Sequence, residues 1–152
     1  MYEIFGEFNS AAEINATAAG LLEEGDTENI KVLAKENGLE EMVEIYIAGA
    51  IPELTDPFMA AVGKLNVEKE SVEVKAHVKK YPHVPVEPFV DFLQSRADEV
   101  DVANAIRKKG KNLLECLNYY WVEGKKEMEK KNKQYIADMT AFLIVLDYYQ
   151  KQ

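Results

Sequence analysis

Apolar residues recur at three- and four-residue spacing in short stripes, and most of the stripes open on a residue suited to cap a helix. Ser10-x-x-Glu13 is a capping-box pattern, in which the hydroxyl accepts from the backbone amide three residues on while the carboxylate reaches back. Gly25-Asp26 ends one helix and caps the next, Asp56-Pro57 pairs a capping carboxylate with a proline that has no amide to leave unpaired, and Asn112 opens the longest stripe. Helices this short are not stable in isolation. They must bury their stripes against one another, so the chain is read as all-α: a compact bundle of about seven or eight short to medium helices.

The expected inward faces follow the spacing. They are Ile14, Ala18, Leu21 and Leu22; then Ile30, Leu33 and Ala34; then Met42, Val43, Tyr46 and Ile47. After Asp56 the face is Phe58, Ala61, Val62 and Leu65, with Gly63 either weakening that helix or letting another approach closely. Phe89, Val90, Phe92 and Leu93 open a further helix, and Asp98 is expected to cap the one that buries Val102, Ala105 and Ile106. Leu113, Leu117, Tyr120 and Trp121 face inward next, and a last helix from Gln134 to Gln150 presents Ile136, Met139, Leu143, Leu146 and Tyr149. Residues 1–9 are read as an arm carrying Ile4, Phe5 and Phe8.

Between these blocks, residues 66–88 are ambiguous. Val72, Val74, Ala76 and Val78 alternate with polar residues as in a strand, while Val74 and Val78 also fit a helix. A lone strand has no partner, so the segment is read as a linker with a short helix or strand, extended around Pro82, Pro85 and Pro88. The resulting division is an acidic helical half at 1–65, a linker at 66–88 and a second helical half at 89–152, packed as one domain.

The net charge of −9 is unevenly distributed, with a balance of −11 over residues 1–76 and +2 over 77–152. An acidic first half disfavours non-specific attraction to nucleic acid and suits a basic protein partner. Glu36, Glu40, Glu41 and Glu44 form the candidate acidic partner surface. The candidate basic contact surface is the turn Arg107, Lys108, Lys109 and Lys111, with Lys125 and Lys126 beyond it. Tyr119 or Tyr120 stands near enough in sequence to stack on a base. A plain solvated surface is the simpler account of either charge cluster.

No chemistry is displayed. His77 and His83 flank a proline, and Cys116 sits between Leu113 and Leu117 as a small core residue would, so no zinc-ligand spacing is present. There is no phosphate loop, dinucleotide fingerprint or nucleophile elbow. The expectation is a protein that is not an enzyme and uses no cofactor. One cysteine makes no internal disulfide, no secretory leader opens the chain, and the apolar run 141–146 is far short of a membrane span. A cytoplasmic location without membrane contact is expected, and an oligomer stays open.

Two parts resemble known families. The run Tyr2-Glu3-Ile4-Phe5-Gly6-Glu7-Phe8, the turn Ala34-Lys35-Glu36-Asn37-Gly38 and residues 56–67 (DPFMAAVGKLNV) resemble uncharacterised proteins carried by integrative and conjugative elements of Gram-positive bacteria. From about residue 103 to 149 the layout is similar to that of PcfK-like proteins of the same elements: a Lys-rich turn, then Asn112-Leu113-Leu114-Glu115-Cys116-Leu117-Asn118-Tyr119-Tyr120, and a last helix ending Asp147-Tyr148-Tyr149. The acidic tail that follows the double tyrosine in that family is absent, and residues 125–133 are longer and more basic. Some members of that family inhibit type II CRISPR nucleases. The resemblance implies a mobile-element accessory protein, and it carries over no residue role. Two functions are therefore expected. One is an interaction protein that blocks a nucleic-acid-binding partner, such as a host defence nuclease, through its acidic surface. The other is a DNA-binding accessory of conjugative transfer that acts through the basic turn.

Overall fold

The computed structural model describes residues 2–151; Met1 of the arm and Gln152 of the second half lie outside it. Among the described residues there are nine helices and no strand: α1 (Ala11–Glu23), α2 (Thr27–Glu36), α3 (Glu40–Ile47), α4 (Pro57–Lys69), α5 (Val72–Lys80), α6 (Val86–Arg96), α7 (Val100–Arg107), α8 (Leu113–Lys131) and α9 (Asp138–Gln150). The capping signals act where they were read. Ser10 accepts from the Glu13 amide at 3.2 Å, Asp26 from Asn29 at 3.2 Å, Asp56 from Met59 at 2.8 Å and Asn112 from Glu115 at 2.9 Å. Asp98 is the exception: Glu99 occupies the N-cap of α7, and no side chain caps that helix.

Helix α5 accounts for the count exceeding the expected one. The Ser71 hydroxyl caps it by accepting from the Val74 amide, and Val74 is buried with Val78 partly buried one turn on. Of the segment 66–88, residues 66–69 complete α4, 86–88 begin α6, and only 70–71 and 81–85 run outside helices. The valine alternation is therefore the outer trace of a helix that buries one narrow stripe.

Two apolar clusters meet on α4. Ala11, Ile14, Ala18, Ile30, Leu33, Ala34, Leu39, Val43, Tyr46, Leu54 and Ala60 form the first, in which α1, α2 and α3 pack in succession. The second begins with Ala61 and Leu65 and gathers α5 to α9 around Phe89, Leu93, Ile106, Leu113, Leu117 and Val145. Helix α4 thus gives one side to each cluster. It lies closest to α7, while α8 runs along α9.

Several expected inward residues face out. Leu22, Phe58 and Trp121 are exposed, and Met139 and Leu143 are exposed by 63% and 52%. Trp121 lies eight residues past Leu113, and eight steps of 100° leave it roughly 80° off that residue's face; Tyr120 and Gly124 continue the stripe instead. Helix α9 starts at Asp138, later than the expected Gln134: after Asn132 ends α8 in the left-handed region, at φ 52°, residues 133–137 run outside helices. Its buried side is Ala141, Val145, Leu146, Tyr148 and Tyr149. With apolar residues nearly all round from 141 to 146, periodicity alone does not choose that side.

Candidate functional site

Two glycines bring the acidic surface and α4 together. Gly38, at φ +70°, turns the chain from α2 to α3, and its backbone rests directly on that of Gly63 in α4. A Cβ on Gly63 would lie 2.3 Å from the Asn37 carbonyl oxygen, and one on Gly38 would lie 2.4 Å from that of Gly63. Both distances are below any real contact, so neither position accepts a side chain without displacing backbone. Close approach is the role that Gly63 plays here.

Beside this crossing, a groove of about 630 Å³ opens between the start of α3 and the outer side of α4. Met42, Phe58, Met59 and Val62 make it apolar, while Glu40, Glu41 and Glu70 stand on its rim with Lys35. Phe58 is 45% exposed, a large ring left in water at the first turn of α4. Among the described residues Glu40 and Glu41 have no ion-pair partner, whereas Glu70 holds Lys75 at 2.9 Å. The other two acidic residues do different work. Glu44 faces Lys31 at 3.8 Å, and the Glu36 carboxylate accepts from the Ile4 and Phe5 amides at 2.9 and 3.1 Å. Glu36 anchors the N-terminal arm, so the acidic face free of ion pairs at the groove reduces to Glu40 and Glu41.

The arm crosses a buried ionic cluster that the sequence reading missed. Lys64, Glu68 and Arg107 are 0%, 2% and 1% exposed. The Lys64 ammonium donates to the carbonyls of Arg107 at 3.4 Å, Lys108 at 3.1 Å and Lys111 at 2.5 Å, and to Glu7 of the arm at 3.2 Å. Glu68 accepts from the Leu113 amide at 2.8 Å and the Tyr2 hydroxyl at 3.0 Å. Arg107 donates to Asn37 at 2.6 Å; its Nε and Nη1 have no hydrogen-bond partner, and Glu68 and Glu7 answer its charge electrostatically. Burial lowers the Lys64 pKa against the pull of Glu68 and Glu7, and raises that of Glu68 against the pull of Lys64. The signal available in sequence was the placement of Lys64 and Glu68 on the same side of α4 as Ala61 and Leu65, a pattern that an apolar-only reading passes over.

This cluster corrects the basic surface. Arg107 is interior, and the Lys111 ammonium donates to the Tyr148 carbonyl at 2.8 Å and lies over its ring. The turn is also tied through its backbone, Lys109 N to Asn9 at 3.0 Å and Gly110 N to Glu7 at 3.2 Å. Only the side chains of Lys108 and Lys109 are exposed there. Further along, Lys126 pairs with Glu123 at 3.2 Å, and Lys125 lies over the Trp121 ring.

Cys116 is buried, with its thiol pushed up by desolvation and directed at the Val145 carbonyl. It is not a reactive thiolate. Among the described residues no group of three or more His, Cys, Asp or Glu side chains is placed to hold a metal ion, and no helix is long and apolar enough to cross a membrane. No family model, curated protein or solved structure matches the chain.

Proposed function

We propose that this chain is a non-enzymatic interaction protein whose working surface is the groove between α3 and α4, which receives a basic, partly apolar segment of a protein partner. The groove itself carries the reading: an apolar floor containing two methionines and an exposed Phe58, rimmed by unpaired Glu40 and Glu41. Methionine side chains adapt to varied apolar shapes, an apolar groove suits an amphipathic helix, and rim carboxylates steer and select a cationic one. The likeness of residues 103–149 to PcfK-like proteins supports a mobile-element setting and suggests the first partner class to try, a nucleic-acid-binding defence nuclease. The acidic rim would then compete for the basic channel that such an enzyme offers its nucleic acid. A DNA-binding role for the turn is less well supported, because Arg107 and Lys111 are committed inside the molecule.

The test is titration into a panel of type II CRISPR nucleases, following guide loading, DNA binding and cleavage. Inhibition by the native chain is expected, together with its loss in Glu40→Lys/Glu41→Lys and in Phe58→Ala. Glu40, Glu41 and Phe58 lie at exposed positions, so an unchanged far-ultraviolet circular dichroism spectrum is expected of both variants. A panel in which no step responds would remove the inhibitor reading.

A further inference from the structure

A second surface, remote in sequence from the groove residues Glu40 and Phe58, combines aromatic rings in tilted contact with unpaired positive charge. At the end of α5, His77 lies 4.9 Å from Tyr81 between ring centroids, and Tyr81 lies 5.3 Å from Trp121 of α8. Trp121 is 46% exposed and Tyr81 is half-buried. Lys80 reaches over Tyr81 at 5.4 Å and Lys125 over Trp121 at 5.6 Å. Farther along and just past the end of α8, Lys125 and Lys133 flank a shallow hollow of about 440 Å³ that Glu129 also lines, and Lys133 lies over a second exposed ring, Tyr135. From Trp121 to Lys131, where α8 ends, is ten residues, roughly 15 Å of helix rise.

The charge here is one-sided. Residues 74–84 hold three lysines and no carboxylate, and residues 121–133 hold five lysines against three glutamates. Glu123 and Glu127 are taken by Lys126 and Lys131, and Lys75 is paired with Glu70. Lys79, Lys80, Lys125, Lys130 and Lys133 have no carboxylate partner among the described residues.

From this we infer that the Tyr81–Trp121 platform, with the lysines of α5 and α8, is a binding surface for single-stranded nucleic acid. Exposed rings offer stacking faces to any base, and lysines spaced along a helix follow a phosphate backbone without reading sequence. The lysines now over the rings are held only by weak, exposed cation–π contacts, so they can move to phosphates when a base takes the ring face. An acidic peptide would engage the lysines and leave the rings without a partner. A duplex keeps its base faces stacked internally.

Trp121 is the single tryptophan, so its fluorescence reports directly on the surface. Titration with oligothymidylate and oligouridylate of about 12 nucleotides is expected to quench it, with affinity that falls steeply as salt rises. The log–log salt slope is expected to shrink by about 1.4 in Lys80→Ala/Lys125→Ala, at about 0.7 per lost phosphate contact. Trp121→Ala, followed by anisotropy of a labelled strand, is expected to lose about tenfold in affinity or more while the far-ultraviolet circular dichroism stays unchanged. Absence of quenching by both strands at low salt would overturn the inference. So would equal quenching by a duplex of the same length, or by polyglutamate of the same charge. The groove reading does not depend on either result, since neither Glu40 nor Phe58 belongs to this surface.

Discussion

Lys64 is the residue on which most of the chain converges. Its ammonium closes the carbonyl ends left open where α7 runs out into the turn at 107–111, and it holds Glu7 of the arm in the same stroke. A charge without solvent exposure persists only when its donors are satisfied and its counter-charges are near, and Glu7 and Glu68 supply them. Lys64→Met is therefore expected to lower stability by about 3–5 kcal/mol, the usual cost of removing one member of a buried ion pair. The loss is spread over the carbonyls of Arg107 and Lys111, Glu7 without its ion-pair partner, and Glu68 with one of its two neighbouring cations gone. Urea denaturation followed by circular dichroism measures it; a change under 1 kcal/mol would show that the cluster contributes little to the fold.

At the scale of the element, local chemistry decides where helices begin, and packing decides which side they bury. Asp56 accepts from the Met59 amide and is followed by Pro57, so its cap is a local event with a local cost. Asp56→Ala is expected to cost about 1 kcal/mol. Asp98→Ala is expected to change stability by less than about 0.5 kcal/mol, because Glu99 and not Asp98 occupies the N-cap position of α7. Thermal melts of the two variants side by side would separate them, and a comparable loss in both would contradict the cap assignment. The same distinction explains the errors in the apolar stripes. Ile30, Leu33 and Ala34 in α2 were legible because polar residues flank them, whereas α9 offers apolar residues on nearly every side.

At the scale of the whole molecule, the two apolar clusters are joined by more than the continuity of α4. Asn37 of the first half accepts from Arg107 of the second across 70 residues of sequence, and Tyr2, Glu7 and Asn9 of the arm bond Glu68, Lys64 and the turn at 107–111. The halves are thus expected to unfold together. In urea, Trp121 fluorescence, which reports its contact with Tyr81 at the end of α5 in the second half, should change along the same curve as far-ultraviolet circular dichroism, which reports both halves. Two resolved transitions would mean that the polar junction does not couple them.

At Gly63 the residue order left two readings open, and the Gly38 turn resting on it decides between them. The helical class and the caps at Ser10, Asp26, Asp56 and Asn112 follow from interactions that span four residues or fewer. Those were readable from residue order alone. The assignment of working surfaces was not. Arg107 and Lys64 are both cations in sequence, and only the meeting of α4 with the turn at 107–111 takes them inside. Glu36 and Glu40 are equally acidic in sequence, and only the arm's return to α2 leaves one bound to amides and the other on the groove's rim. Burial of a charge depends on neighbours 47 and 70 residues away, as in Lys64 with Lys111 and Arg107 with Asn37. Tertiary contact alone decides it.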